Sequence, residues 1–278
     1  VNYRHGFHAG NFADVLKHMI LTALLEALRR KETPFRVIDT HAGRGWYDLT
    51  SDEARRSPEW RDGVGHLWDA PHPPQMVQSW LEAVRAANPD GALSAYPGSP
   101  ILARRLTRPQ DRLRLCELHP EEHGLLVAAF AGDRRCKVEQ RDGWEAVRAW
   151  LPAPERRGLV IIDPPFEKPG EFQRLAGALD DGLARAANLT YLLWRPIKDP
   201  ASEDDWRRKL RTLPRPVLDA VLAVAGPGER PGLAATGVTI VNPPWRLDDA
   251  LSVAGPWLAE RLAQGSGPRF VMETFDPG

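Results

Sequence analysis

Apolar residues recur along this chain with two periods, and the switches between them predict an alternation of helices and strands. Asn11 is placed to cap a helix over residues 13–30, where Val15, Leu16, Ile20, Leu24, Leu25 and Leu28 share one face. Phe35-Arg36-Val37-Ile38-Asp39 follows as a strand. Residues 46–95 leave the alternation. Pro71-His72-Pro73-Pro74 is a break, and Val77, Trp80, Leu81 and Val84 give residues 76–87 a helical face, so this stretch reads as an inserted, mostly helical segment. Further on, residues 101–106, 121–130 and 144–150 predict helices, and 112–116 and 136–139 predict strands. Leu159-Val160-Ile161-Ile162 is an unbroken apolar run, the pattern of a strand buried on both faces. Residues 189–194, 214–225 and 237–241 complete seven strands, the last two an antiparallel pair across the Gly- and Pro-rich loop 226–232. The tail after Gln264 contains Gly and Pro and reads as loosely packed. The expectation is one α/β domain over residues 1–278, with a seven-stranded, mostly parallel sheet and helices on both faces.

The strand ends carry the chemistry. The first four strands each close on an acid: Asp39, Glu117, Asp142 and Asp163. Any one of them could be a turn or cap residue, but four on one rim of a parallel sheet predict a ligand site there. Thr40-His41-Ala42-Gly43-Arg44-Gly45 offers a G-x-G turn after the first strand but lacks the third glycine of the dinucleotide fingerprint. Asp163-Pro164-Pro165-Phe166 ends the buried strand, since proline has no N–H for the ladder. It leaves a carboxylate, a carbonyl and an aromatic ring together, which suits a planar substrate bearing an amine. Asn242-Pro243-Pro244-Trp245 offers a similar set and competes with it; strand order favours Asp163, the acid of the next strand after the cofactor acids. Gly98-Ser99 has no preceding strand and is read as a helix cap or ligand contact. His5, His8 and His18 have no recognised metal spacing, and no metal is expected.

Composition narrows the class. With 42% apolar and 27% charged residues the chain should be globular, and no apolar run approaches the roughly 20 residues of a membrane span. The polar Val1-Asn2-Tyr3-Arg4-His5 has no signal-peptide core, and the two cysteines fall on predicted strands, so a cytoplasmic address is expected. Net charge is zero, from 37 basic and 37 acidic side chains, which excludes a uniformly basic surface and leaves room for a local basic face.

The order of these motifs resembles the class I S-adenosylmethionine-dependent methyltransferases, a Rossmann-like fold, that modify exocyclic amines. More narrowly, Tyr3-Arg4-His5, Phe7-His8-Ala9-Gly10-Asn11, Ala13-Asp14-Val15-Leu16-Lys17-His18, Asp39-Thr40-His41-Ala42-Gly43, Tyr96-Pro97-Gly98-Ser99-Pro100, Glu117-Leu118-His119-Pro120 and Asn242-Pro243-Pro244-Trp245 resemble the bacterial 23S ribosomal RNA adenine-N6 methyltransferases. That family usually has Tyr where this chain has Phe166. The resemblance implies S-adenosyl-L-methionine as cofactor, with contacts from His18, His41, Ser99, Glu117, Asp142, Gly143 and Asp163. It implies Asp163 as catalytic acceptor and Tyr3 near the substrate, while Pro164 and Phe166 would hold the adenine. The expected partner is 23S ribosomal RNA, free or in an early assembly particle, met by a monomer without a membrane. A DNA adenine methyltransferase shares these features. A nucleotide-cofactor oxidoreductase would need the complete glycine fingerprint, and a non-catalytic RNA-binding module would not need an acid on every early strand.

Overall fold

Helix α1 (Phe12–Arg29) starts where Asn11 accepts hydrogen bonds from the backbone N–H groups of Ala13 and Asp14, and it is buried along most of its length. The computed structural model describes residues 4–277, and the elements follow in an α/β order. They are β1 (Arg36–Asp39), β2 (Trp46–Asp48), α2 (Asp52–Arg56), α3 (Gln75–Arg85), β3 (Ala95–Pro97), α4 (Ser99–Leu106), β4 (Arg112–Glu117), α5 (Pro120–Ala129) and β5 (Cys136–Gln140). After these come α6 (Gly143–Trp150), β6 (Gly158–Ile162), α7 (Glu171–Ala186), β7 (Thr190–Ile197), α8 (Pro200–Arg211), β8 (Val217–Ala223), β9 (Ala235–Val241), α9 (Leu247–Arg261) and β10 (Arg269–Phe275).

The main sheet runs β10-β8-β9-β7-β6-β1-β4-β5. The five strands from β7 to β5 are parallel, while β9 opposes its neighbours β7 and β8, and β10 opposes β8. Alternation along the strands sorts the core into two layers. Val37, Leu159, Ile161 and Leu192 pack with α1, α3, α4 and α9, whereas Ile38, Val160, Ile162 and Leu193 pack with α6, α7 and α8. The chain leaves β1 for β4 and β5 on one side and returns to β6 on the other, so the strand order reverses between β1 and β6. Crevices form at such a reversal, beyond the carboxyl ends of the strands.

The sheet has eight strands, not seven. The expected loose tail is β10, paired from Arg269 with Ala223 to Phe275 with Val217. As a half-exposed edge strand it lacks a strong apolar run, and the Gly-Ser-Gly-Pro turn before it masks its start. Residues 46–95 hold β2, α2, a π-type turn at Arg61–Gly65 and α3, and β2 pairs antiparallel with β3 just beyond.

β7 runs three residues past the expected Trp194 end, through Arg195 and Pro196 to Ile197. Arg195 is fully buried, yet its guanidinium is satisfied on both sides. It donates to Asp219 on β8 at 2.8 Å twice, to Glu203 on α8 at 2.9 and 3.0 Å, and to Thr239 at 3.0 Å. Gly237 on β9 leaves the space it fills, for a Cβ there would lie 2.5 Å from the guanidinium carbon. Removing one member of such a cluster leaves uncompensated buried charge. Arg195→Met should therefore lower unfolding stability by about 3–5 kcal/mol in urea denaturation.

Candidate active site

The reversal in strand order places the ends of β1, β4, β5 and β6 around a cavity of about 450 Å³. Every expected site residue within the described chain lines it: His18, His41, Ser99, Glu117, Asp142, Gly143, Asp163, Pro164 and Phe166. Tyr3 lies outside the described residues.

On the β1, β4 and β5 side, backbone and carboxylates interlock. Glu117 accepts hydrogen bonds from the N–H of Gly43 at 2.9 Å and of His119 at 2.8 Å. Burial nonetheless raises its pKa, against the pull of those two donors. Asp142 caps α6 by accepting from the Trp144 N–H at 2.8 Å and also faces Arg174 at 3.5 Å. Gly143 brings that helix start against the loop after β1; a Cβ on it would lie 2.2 Å from the Thr40 carbonyl oxygen and 2.6 Å from the His41 ring. His41 shares a hydrogen bond with Thr40 Oγ1 at 2.8 Å and meets the Trp144 ring edge-on, and burial lowers its pKa to about 4. His18 shares one with the Tyr96 hydroxyl at 2.8 Å, and burial takes it down to about 3. Both imidazoles are neutral at pH 7.

Asp39 differs from the other three rim acids. It is fully buried, does not line the cavity, and accepts from Ser99 Oγ at 2.7 Å and from the His41 N–H at 3.3 Å. Burial first, then the Asp163 charge, pushes its pKa up to about 7 against the Ser99 hydrogen bond. Its place is behind the wall, holding Ser99 and the loop after β1.

At the centre, Asp163 Oδ2 accepts from the Lys17 ammonium, which also reaches Asp14 at 2.9 Å. Lys17 is buried, and the two carboxylates overcome that burial to raise its pKa. Asp14 in turn accepts from His5 at 2.8 Å and from the Gly10 N–H at 2.9 Å, and its partners His5 and Lys17 overcome its burial to hold its pKa low. Sequence reasoning did not select Asp14 or Lys17 as site residues. An acid and a lysine three apart on a helix ordinarily make a solvated pair; the signal lay in their fit to the wide apolar stripe of α1.

Phe166 adopts a left-handed backbone at φ 51°, uncommon for an aromatic residue, and its ring leans on Phe172 (5.0 Å) and Trp194 (5.7 Å). Such strain persists where packing over-determines it. The competing Asn242 lies elsewhere. β9 runs antiparallel, so its end emerges on the opposite rim, where the Asn242 amide donates to the carbonyls of Ala187 and Leu189 at 2.9 and 2.6 Å.

Comparison with known proteins places the chain in a family. The model of a family described as ribosomal RNA large subunit methyltransferase D, RlmJ, matches residues 32–272. The chain belongs to this family. A relative named ribosomal RNA large subunit methyltransferase J from Escherichia coli K12 is 39% identical over 94% of both chains. The protein of that name from Haemophilus influenzae is 37% identical over 100% of this chain and 99% of its own. Among solved structures, protein LPL1258 of Legionella pneumophila superposes with a TM-score of 0.89 at 32% identity, covering 96% of this chain and 98% of that one. The fold is that of a class I methyltransferase with an eighth strand.

The neutral state of His18 in this family member has a stability signature. Its folded pKa lies below the unfolded value of 6.5, so its burial stabilises the fold above that pH and ceases to do so as pH falls toward about 3. The stability difference between wild type and His18→Gln should therefore be largest near about pH 7.5 and shrink steadily by about pH 5, measured by urea denaturation at each pH.

Proposed function

We propose that this protein transfers a methyl group from S-adenosyl-L-methionine to the exocyclic N6 amine of a specific adenine in 23S ribosomal RNA. The observation that carries the reading is the joining of Asp163, Pro164 and Phe166 at the end of β6 to the carboxylates of Glu117 and Asp142 in one cavity, in a chain of an rRNA methyltransferase family.

The residues present fit the cofactor. Three cavity-lining carboxylates, Glu117, Asp142 and Asp163, offer acceptors and negative charge to a cationic nucleoside. The two nearby imidazoles are neutral and do not oppose a sulfonium. Glu117, at the end of β4, would take the ribose hydroxyls by charge-assisted hydrogen bonds. His41, Asp142 and Gly143 would line the base end, with His18, Ser99 and Asp163 toward the centre. When bound, S-adenosylmethionine supplies an already electrophilic methyl group.

The chain's own work is to align and prepare the amine. The nitrogen lone pair of adenine N6 is delocalised into the ring, so the nitrogen needs a push toward tetrahedral geometry. The Asp163 carboxylate and the Pro164 carbonyl accept hydrogen bonds from its two N–H groups and favour a pyramidal nitrogen whose lone pair is localised, and the nitrogen sheds one of those protons toward solvent once it carries the methyl group. Lys17 engages Asp163 Oδ2 and so fixes the orientation of the carboxylate. Phe166, propped by Phe172 and Trp194, stacks on the base. A base within a helix or stack must first be flipped out, at a cost of about a few kcal/mol.

The wider reading is of one domain over residues 1–278, with residues 46–95 as its insertion, working as a cytoplasmic monomer on free RNA or an early assembly particle. Among the described residues, no helix is long and apolar enough to cross a membrane.

Labelled S-adenosylmethionine and protein-free large-subunit RNA from a strain lacking this activity give the test, with the product base identified by mass. Wild type should form N6-methyladenine at one site, and Asp163→Ala should lose about a thousandfold or more in rate while remaining folded by circular dichroism. A methylating Asp163→Ala would overturn the assignment of that strand end, and transfer to DNA alone would overturn the substrate. Phe166→Ala should cost about tenfold to a hundredfold in kcat/KM, the worth of roughly 1–3 kcal/mol of base stacking. Phe166→Tyr should keep nearly all activity.

A further inference from the structure

The cavity has a second wall, beyond Asp163, that the other cofactor residues do not use. The cofactor side comes from β1, β4 and β5. The opposite side comes from the loops after β6 and β7 and from Gly232 and Leu233 between β8 and β9. Lys168 stands two residues beyond Phe166 on the first of these loops, and Lys198 follows the end of β7 on the second. Both line the cavity, and both are exposed.

What separates these two lysines from the other lysine and arginine side chains of the cavity is that their charge is uncommitted. Lys17 is held by Asp14 and Asp163, and Arg174 by Asp142. Among the described residues, neither Lys168 nor Lys198 enters an ion pair. Lys198 sits near the mouth, close enough that its charge opposes protonation of His8 on the facing lead-in. The acids nearby are mostly occupied. Glu59 accepts from His8 and Asn11 at 2.9 Å each and from Ser57 at 3.2 Å, and Glu171 is buried and takes the Lys168 N–H at 3.2 Å. Glu167 is the exposed acid that remains between Phe166 and Lys168.

A chain with zero net charge has no overall attraction for a polyanion, so RNA must be met by local cations. A base stacked on Phe166 brings its own flanking phosphates to the mouth of the cavity, which is where these ammonium groups stand. We propose that Lys168 and Lys198 form a phosphate clamp that seats the RNA backbone on either side of the target adenosine. The proposal rests on the RNA methyltransferase reading above and adds the residues that seat the strand. The clamp acts on binding of the polyanion and has no part in the alignment of the amine.

The test pairs steady-state kinetics with binding of protein-free large-subunit ribosomal RNA across a salt series, for wild type, Lys168→Ala, Lys198→Ala and the double variant. The double variant should raise KM for RNA about tenfold and flatten the slope of log affinity against log salt by about 1.4, from about 0.7 per single-strand phosphate contact. Its kcat, and its affinity for S-adenosylmethionine by calorimetry, should stay within about twofold of wild type, and Lys→Arg at both positions should restore most of the RNA affinity. Lys137→Ala, on the outer strand β5 and 69% exposed, removes the same charge away from the cavity and should leave the slope unchanged. A double variant with wild-type KM and salt slope, beside a wild type that methylates RNA, overturns the clamp alone. A wild type that neither binds nor methylates RNA overturns the functional reading and the clamp with it.

Discussion

A buried ammonium between two carboxylates organises this molecule. Lys17 has left water almost completely, at a cost that only converging partners of opposite charge can offset. Asp14 comes from its own helix and Asp163 from the end of β6, distant in sequence. The contact therefore locks α1 to the centre of the sheet. Asp14 carries the constraint further, since it also holds His5 and the Gly10 N–H and so draws the N-terminal lead-in over the cavity. One cation thus ties the end of β6, the long helix and the lead-in that lines the cavity into a single unit. Breaking it would leave a buried charge unmatched on whichever side remained.

The rim divides by strand order into two kinds of surface. Where the chain runs outward from β1 through β4 to β5, it presents carboxylates and neutral imidazoles suited to a cationic nucleoside. Where it returns through β6 and β7, it presents stacked aromatics and exposed lysines. Asp163 stands at the boundary. That placement follows from a parallel sheet whose strand order reverses: the strand next to β1 on the returning side must end beside both surfaces. The left-handed backbone at Phe166 is the local cost of turning an aromatic ring into that boundary.

Much of this was legible in the sequence. The strand end bearing Asp163 could be read from an apolar run that stops at an acid, because a parallel core strand must be apolar on both faces, while Glu117 and Asp142 followed from shorter, mixed strands in the same alternation. What escaped was set by tertiary context. Strand β10 is half exposed and weakly patterned, and α9 contains Gly255 and Pro256, which blur its helical face. Arg195 looked like a strand end because a charge ordinarily is; its burial depends on Asp219 and Glu203, contributed by two other elements. Asp39 read as a rim acid, and its turn inward toward Ser99 could not be told from the motif. Lys17 is the same lesson at the active site, since its meaning depends on a carboxylate 146 residues away.

The competing tetrapeptide makes the physical point most sharply. Asn242-Pro243-Pro244-Trp245 and Asp163-Pro164-Pro165-Phe166 share an order of chemical groups, and each follows a buried strand. Yet β9 runs against β7 while β6 runs with it, so equal motifs emerge on opposite edges of the sheet. At the far edge the Asn242 amide is consumed in holding Ala187 and Leu189, its carbonyl takes the Thr190 hydroxyl at 3.0 Å, and Trp245 stands 85% exposed, outside the lining of the cavity that Asp163 faces. Local chemistry supplies a candidate acceptor in both places. The direction of the strand decides which of them opens on the cavity.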